Sequence, residues 1–316
     1  MKKEKKANKF NLKENLKYAV VRQWDLQLMV LPAIIVLIIF AYGPMPGIII
    51  AFKDYTFNKG IFGSDWVGLK HFRSILTDIF VHRSLFNSVG LSLFRMALLF
   101  PAPIILALLF NEVRSSKLRR FFQTVSYYPY FVSWAVVCAV VPIWTSTQTG
   151  WVNAFLQTIG LIKEPISFLS EANMFWGITL MLELWKGIGF SAIIYIAAIS
   201  GIDQEQYEAA IIDGASRFQR IRLITIPSIA GTISLLFILQ ISGIIGGNFD
   251  VSYMLGNPSN ASRSMILQSY TYDVGLLDGR FSYAAAVGLL TSITGMILLL
   301  GGNFIVKRLT KHSGLF

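Results

Sequence analysis

The sequence predicts an all-α integral membrane protein with six transmembrane helices. Of its 316 residues, 54% are hydrophobic and only 14% are charged, whereas soluble domains carry about 25% charged residues. The chain contains six apolar runs, and each matches the roughly 20 helical residues needed to cross a bilayer. A large soluble helical protein is the alternative, and six runs of this length argue against it.

The predicted helices are bounded by charged or clustered polar residues. The third uncharged run extends over 121–162, but its second half is polar and rich in tryptophan, so we place the helix in the first half. We expect a single transmembrane domain over 24–316, with helices at about 26–52, 87–110, 124–145, 174–200, 223–249 and 281–306. A basic segment, 1–23, precedes it, and the first apolar run is too long for a signal-peptide core.

The distribution of lysine and arginine predicts that both termini lie in the cytoplasm. With the N-terminus inside, the cytoplasmic segments hold 18 basic residues, and the external loops at about 53–86, 146–173 and 250–280 hold 8. Such an excess is typical of cytoplasmic loops. The net charge of +11 is therefore interpreted as topology and attraction to anionic membrane lipid, not as nucleic-acid binding.

Several classes of function leave no trace in the sequence. No Gly-x-x-x-x-Gly-Lys-Ser/Thr loop occurs, so we expect no Walker-type nucleotide site on this chain. There is no nucleophile elbow, Rossmann fingerprint or zinc motif, and Cys138 is the single cysteine. We therefore expect no catalytic residue, no metal and no cofactor bound by this chain.

One predicted cytoplasmic loop, 201–226, is unusually well formed. Asp203 and Ser216 are each followed three residues later by a glutamine, the spacing of a helix N-cap and its reciprocal partner. Gly214 lies between the two caps and can take the left-handed conformation that ends a helix. Pro227 fits the first turn of the fifth span. The loop is predicted to be two short helices joined by a sharp turn.

The first of these short helices has a surface suited to close approach. Ala209 and Ala210 keep that surface thin, and Glu208 and Asp213 place charge beside it. A docking element for another protein is one interpretation, and a solvated connector is the other. The residues by themselves leave both open.

The same segment resembles the EAA loop of ABC importer permeases. The resemblance rests on Glu208-Ala209-Ala210, then Asp213-Gly214-Ala215, then Ile226-Pro227. In that family the loop is the coupling helix, which seats in a groove of the ATPase subunit. The resemblance implies an ATPase-docking set made of Tyr207, Glu208, Ala209, Ala210, Asp213, Gly214 and Ala215. One departure is Gly231, where the family often has a second proline.

Further segments are similar to LplB-type permeases for complex oligosaccharides over nearly the whole chain. They include Ala41-Tyr42-Gly43-Pro44-Met45, Trp66-Val67-Gly68-Leu69-Lys70-His71-Phe72 and Asn111-Glu112-Val113-Arg114. This resemblance implies the type I ABC importer permease fold and import of sugars or oligosaccharides across the membrane of a Gram-positive bacterium. It also implies the partners: a second homologous permease, a cytoplasmic ATPase dimer that binds ATP and Mg²⁺, and an extracellular sugar-binding lipoprotein.

Three charged residues are predicted to lie at membrane depth, where a charge costs at least about 2.5–3.5 kcal/mol. Glu183 and Lys186 are spaced three residues apart on one helix. They either neutralise one another or line a substrate path, and both interpretations remain open. For Arg95, snorkelling toward a lipid headgroup is favoured over a substrate role.

Aromatic and polar residues suggest where a sugar would pass. Sugars stack their C–H faces on aromatic rings, and Trp134 lies deeper in the third span than the tyrosines before it, which are interpreted as interface anchors. Asn248 and Asp250 follow a Gly-Gly break and are candidates for an external gate. The predicted substrate path consists of Trp134, Glu183, Lys186 and Asn248.

An ion-coupled secondary transporter or a channel for small polar solutes is the main alternative function. Such proteins often carry carboxylates near the membrane midplane, and Glu183 is a candidate for that role. The capped loop at 201–226 discriminates, because a proton-coupled carrier has no need of an ATPase dock.

Overall fold

The computed structural model describes residues 24–310, so the predicted basic segment 1–23 lies outside it. Within the described residues, five continuous helical stretches are long and apolar enough to cross a membrane. A sixth span results if the bent pair Ser116–Phe131 and Trp134–Trp144 crosses as one unit. The all-helical membrane fold predicted from the sequence is confirmed, and the third span is a broken one.

The first span is helical from Trp24 but not uniformly wound. It consists of α1 (Trp24–Leu37), a π-helical turn (Ile38–Tyr42) and a 3₁₀ segment (Met45–Phe52). Prolines 44 and 46 deny backbone donors to the helix at this point, which favours the change in winding. No side chain of α1 is buried, so this helix offers its whole surface to lipid or to another subunit.

A short hairpin follows the first span and marks one end of the bundle, called here the hairpin end. Strands β1 (Lys53–Asp54) and β2 (Asp65–Trp66) pair antiparallel, with Lys53 opposite Trp66. Two short helices belong to this region: α2 (Gly60–Gly63) lies in the loop between the two strands, and α3 (Lys70–Thr77) follows β2. The hairpin and α3 pack on the first and last spans.

The second span is longer than the predicted 87–110. It comprises α4 (Ile79–Leu98) and α5 (Pro101–Glu112), with Asp78 as the N-cap whose side chain accepts from the N–H of Phe80. The predicted span begins at Asn87, whereas the helix begins at Ile79 and includes His82 and Arg83, which precede the apolar run.

The third span is not the straight helix predicted at 124–145. Helix α6 (Ser116–Tyr127) continues into a 3₁₀ turn (Tyr128–Phe131) and then bends by 92° into α7 (Trp134–Trp144). Pro129 lacks a backbone donor, and Ser133 caps the new helix by accepting from the N–H of Val136. The predicted polar stretch after it contains α8 (Trp151–Thr158) and a 3₁₀ turn (Ala172–Met174).

The fourth span, α9 (Phe175–Ser200), matches its predicted position and packs against α5 and α6. Gly189 lies where α9 crosses α6, and a Cβ there would overlap the backbone carbonyl of Ser126. At Gly187, two residues earlier on a different side of the helix, an added Cβ would meet no atom within 4 Å. The two helices therefore approach as closely as they do because position 189 has no side chain.

Two short helices follow α9 at the opposite end of the bundle, called here the α10 end. They are α10 (Gln204–Ile212) and α11 (Arg217–Arg220), and α11 runs on through a π segment (Ile221–Thr225) into α12 (Ile226–Ser242). The predicted fifth span, 223–249, is wrong at its end. Gly243, Gly246 and Gly247 follow the helix, and Gly247 has a φ of +70°, a left-handed conformation that ends helical winding.

The remaining helices close the hairpin end and complete the bundle. They are α13 (Phe249–Leu255), α14 (Ala261–Ser264), α15 (Leu267–Tyr272) with a π segment (Asp273–Leu277), and the last span α16 (Phe281–Thr310). Helix α16 packs against α12 and the 3₁₀ part of the first span.

Asp78 ties three of these elements together at the hairpin end. Its Oδ2 accepts hydrogen bonds of 2.6 Å from the hydroxyls of Tyr270 and Tyr283. Burial opposes ionisation of Asp78, but these hydroxyls and two backbone N–H groups outweigh it and hold its pKa below the usual value. Burial and then the bond to Asp78 raise the pKa of Tyr270 to about 12. The cluster joins the starts of the second and sixth spans to α15.

Replacing Gly189 by alanine is expected to destabilise the bundle, because the added methyl group meets backbone that has no side-chain freedom to move. Overpacking of this kind costs typically 1–3 kcal/mol. Gly187→Ala is the matched control, since the same methyl group there meets nothing. Thermal unfolding of the two purified variants measures the difference, and equal transition temperatures would contradict the close crossing of α6 and α9.

Candidate functional site

A cavity of about 600 Å³ lies among the second, third, fourth and fifth spans. Its lining combines charged, amide and aromatic side chains, among them Arg95, Trp134, Glu183, Gln240, Asn248, Phe249, Asp250 and Gln268. Glu183 is closer to the start of α9 than to its end, so the cavity lies nearer the hairpin end than the α10 end. A cavity of this size is ordinary for a small-molecule site.

Three of the four predicted path residues meet in this cavity: Trp134, Glu183 and Asn248. The fourth, Lys186, is not part of the lining. Its ammonium lies 5.4 Å from the centroid of the Trp134 ring and 5.0 Å from that of Tyr130. Lys186 therefore lies beside the rings of Tyr130 and Trp134 and outside the cavity lining.

The pairing considered for Glu183 and Lys186 is wrong, and so is the snorkelling favoured for Arg95. Arg95 Nε and Nη2 donate to the two carboxylate oxygens of Glu183 at 2.6 and 2.5 Å. The Arg95 and Glu183 side chains are 13% and 8% exposed. Lys186 Nζ instead donates to the carbonyl oxygen of Tyr130 at 2.5 Å. A planar guanidinium satisfies both carboxylate oxygens at once, which an ammonium on the same helix cannot do.

Asn248 lines the cavity and also caps a helix. It is the N-cap of α13, and its side-chain oxygen accepts from the N–H of Val251 at 3.3 Å. Asp250 lies in the first turn of the same helix, where the helix dipole favours a negative charge. The two residues considered for an external gate thus lie on one fixed helix that begins at the cavity.

The sequence analysis missed several residues that line the cavity. Gln240 is an amide inside an otherwise apolar run, and that contrast was the available signal. Gln268 and Phe249 reach the cavity from segments beyond the fifth span, and nothing in their local pattern distinguishes them. The arrangement offers one aromatic face, several amides and a neutralised ion pair, which suits the binding of hydroxyl groups better than proton transfer.

The seven residues of the predicted docking set lie on and just after α10 at the opposite end of the bundle. Glu208, Ala209, Asp213 and Gly214 are exposed, while Tyr207, Ala210 and Ala215 are half-buried. Ala209 rather than Ala210 therefore forms the open thin surface. Ile212, which was not in the predicted set, is 86% exposed beside it.

The buried side of α10 is fixed to the fifth span. The hydroxyl of Tyr207 and Oγ1 of Thr225 are 2.8 Å apart, and Tyr207 packs against the cluster of Tyr195, Ile199 and Ile229. A movement of α10 is therefore passed directly to α9 and α12, which carry these residues.

The predicted caps and corner of this loop are present, with one difference. Ser216 and Gln219 form the complete reciprocal capping box, whereas Asp203 caps through the N–H of Glu205. Gly214 has a φ of +77°, and a Cβ at this position would meet no atom within 4 Å. Its left-handed backbone, and not crowding, is what requires glycine there.

Residues 100–312 match the family described as "Binding-protein-dependent transport system inner membrane component". Protein LplB of Bacillus subtilis (strain 168) is 41% identical over 298 residues, which cover 94% of this chain and 93% of that protein. The polygalacturonan/rhamnogalacturonan transport system permease protein YteP of the same strain is 38% identical over 301 residues, covering 95% and 93%.

The same likeness is found among solved structures. In the crystal structure of a bacterial ABC transporter involved in the import of the acidic polysaccharide alginate, one chain superposes with a TM-score of 0.85 at 34% identity. The match covers 94% of this chain and 99% of that one. A crystal structure of the alginate transporter with alginate pentasaccharide-bound periplasmic protein gives the same TM-score and identity.

Breaking the Arg95–Glu183 pair from one side is expected to be strongly destabilising. Arg95→Met or Glu183→Met leaves one buried charge unpaired, which costs about 3–5 kcal/mol, whereas the double variant removes both charges and recovers most of that loss. Denaturant unfolding of the purified single and double variants measures the coupling.

Lys186→Met provides the control for this cycle. Lys186 bonds to the Tyr130 carbonyl and not to Glu183, so its effect is expected to add to that of Glu183→Met. Strong coupling between Lys186 and Glu183, with none between Arg95 and Glu183, would reject the pairing described above.

Proposed function

Because this chain belongs to the family of inner membrane components of binding-protein-dependent transport systems, we propose that it forms one half of a saccharide passage driven by a separate ATPase. The second half is a homologous permease, and an extracellular sugar-binding lipoprotein delivers the substrate. The observation that carries the proposal is the placement of a polar, aromatic cavity and an outward-facing capped loop at opposite ends of one helix, α9.

The cavity is proposed as the part of the passage that this chain supplies. Trp134 offers a flat apolar face to a sugar ring, and Gln240, Asn248 and Gln268 offer amide donors and acceptors to its hydroxyls. Two similar proteins support this proposal: YteP is a permease protein of a polygalacturonan/rhamnogalacturonan transport system, and the solved transporter is involved in the import of alginate.

The loop around α10 is proposed as the contact through which the ATPase drives the passage. The exposed surface at Glu208, Ala209 and Ile212 is narrow enough to enter a groove, and Tyr207 ties its other side to the spans. From Glu183 to Gly201, α9 covers 18 residues, or about 27 Å at 1.5 Å per residue. One rigid helix thus connects the proposed dock to the cavity. ATP and Mg²⁺ are proposed to bind the partner ATPase.

The chain lies in the plasma membrane as a multi-pass protein, and we propose the α10 end and both termini as cytoplasmic. The excess of basic residues, 18 against 8, supports this orientation. It places the hairpin end, with the cavity nearer to it, on the side from which the binding protein delivers sugar.

Cysteine labelling tests the orientation. In a Cys138→Ala background, cysteines placed at Asn58 and Ser262, both exposed at the hairpin end, should react with an impermeant thiol reagent in intact cells. A cysteine at Gln206, exposed on α10, should react only after the cells are permeabilised. The reverse pattern would overturn the proposed topology.

Disturbing the α10 corner should uncouple the transporter without preventing membrane insertion. Gly214→Val forces a β-branched residue into a left-handed backbone, at a strain of roughly 1–2 kcal/mol, and misaligns α11. Ala209→Trp fills the thin surface proposed to enter the ATPase groove. Both variants should lose co-purification of the ATPase, or uptake stimulated by the binding protein, in a parallel assay.

Two conservative variants serve as controls for this test. In Gly214→Asn the new residue tolerates the left-handed conformation, and in Ala209→Ser the new side chain is still small. ATPase capture and uptake should therefore stay close to wild type in both variants. If Gly214→Val and Ala209→Trp also retain full ATPase capture and full uptake, the loop is a connector and the coupling proposal fails.

A further inference from the structure

A second cavity, of about 580 Å³, lies at the α10 end and is strongly basic. Four arginines from three neighbouring elements line it: Arg114 after α5, Arg119 on α6, and Arg217 and Arg220 on α11. The side of α10 that faces α9, at Gln204 and Tyr207, closes it. It is separate from the first cavity and shares no lining residue with it.

The charge in this cavity is poorly compensated by the protein. Glu112 is the only acidic residue in the lining, and its carboxylate is 3.8 Å from Arg217 Nε, at the outer limit of an ion pair. Nε of Arg220 is buried and has no hydrogen-bond partner among the described residues. A buried guanidinium donor without an acceptor indicates that an anionic group from outside the chain completes the site.

A smaller cavity of about 230 Å³ adjoins the basic one on its membrane side. The two share Asn111, Arg119, Ile199 and Ser200. The smaller one adds Gln123 and three apolar side chains of the second and fourth spans, namely Ala107, Phe110 and Ile196. A charged chamber that adjoins a chamber of mixed polar and apolar lining suits a ligand with an anionic head and the start of a hydrocarbon tail.

We propose that the two cavities together bind an anionic phospholipid from the leaflet at the α10 end. The phosphate and its neighbouring oxygens take the donors of Arg119, Arg217 and Arg220, and the start of an acyl chain enters beside Phe110 and Ile196. Basic pockets between membrane helices commonly hold such headgroups. The lipid would join α5, α6 and α11 next to the docking loop. This inference does not depend on the substrate proposed above.

The acidic face of another protein is the competing occupant, and the geometry disfavours it. Ala209 and Ile212, the exposed residues of the proposed docking surface, are not part of the cavity lining, although Gln204 and Ile211 of the same helix are exposed and do line it. A partner that seats on Ala209 and Ile212 therefore binds a surface outside the four-arginine cavity. The apolar side chains that line the smaller cavity, Phe110 and Ile196, also have no role in binding a water-soluble acidic segment.

The test uses the full chain, with the subunits that co-purify with it, stripped of lipid in neutral detergent. Binding is measured by native mass spectrometry with four probes: phosphatidylglycerol, phosphatidylcholine, the free glycerophosphoglycerol headgroup and inorganic phosphate. The variant is Arg119→Gln with Arg220→Gln. The control is Arg120→Gln with Arg222→Gln, which removes the same charge from exposed positions that line neither cavity.

The proposal expects phosphatidylglycerol to bind more tightly than the other three probes to wild type and to the control. In the variant its affinity should fall about tenfold or more, since each basic residue near a charged membrane surface contributes about 1 kcal/mol. An equal fall in variant and control would overturn a specific site. Equal binding of inorganic phosphate and lipid would overturn the lipid assignment in favour of free phosphate. A variant that keeps its lipid affinity but loses the ATPase would assign the cavity to a protein partner.

Discussion

The buried ion pair between Arg95 and Glu183 is the interaction on which the arrangement of the spans depends. Neither charge can face lipid at tolerable cost, so each must face the other. Two parallel hydrogen bonds fix the rotation of the second and fourth spans about their own axes. The buried residues of α9 then follow in one stripe, through Glu183, Lys186, Gly189, Tyr195 and Ile199.

The buried stripe of α9 connects the cavity to the loop that contains α10. At the part of the stripe nearest the hairpin end, the Arg95–Glu183 pair lines the cavity and Lys186 lies beside Trp134. In its middle, Gly189 lets α6 approach to contact. At the α10 end of the stripe, Tyr195 and Ile199 pack on Tyr207 of α10. A displacement of α10 therefore moves packed, polar and charged contacts of a single helix together, as expected of a rigid coupling element.

Sequence reasoning succeeded where the signal was local. The apolar runs identified the membrane fold, and the Ser216–Gln219 box, the left-handed Gly214 and the position of Pro227 followed from spacing within a few residues. It failed where a contact joins residues far apart in the chain, or where the local sequence pattern gives no signal. The ion-pair partner of Glu183 is Arg95, which lies 88 residues away on another span. The spacing of three residues on one helix suggested Lys186 instead.

The errors in the spans have the same origin. The third and fifth predicted helices were read from lack of charge, but lack of charge does not keep a helix straight or continuous. Pro129 with Ser133 turns the third span through 92°, and the glycines after Ser242 end the fifth within an uncharged run. Gln268 enters the cavity from a segment whose path no local pattern reveals.

We infer that α10 is the contact through which an ATPase moves this bundle. A photocrosslinking amino acid at position 209, exposed on α10, tests it most directly in membranes that contain the whole transporter. An adduct with the ATPase subunit is expected, and its yield should change when ATP is added. The same amino acid at Leu161, which is 70% exposed beyond α8, should give no such adduct. Absence of an ATPase adduct at 209, or an equal yield at both positions, would contradict the account.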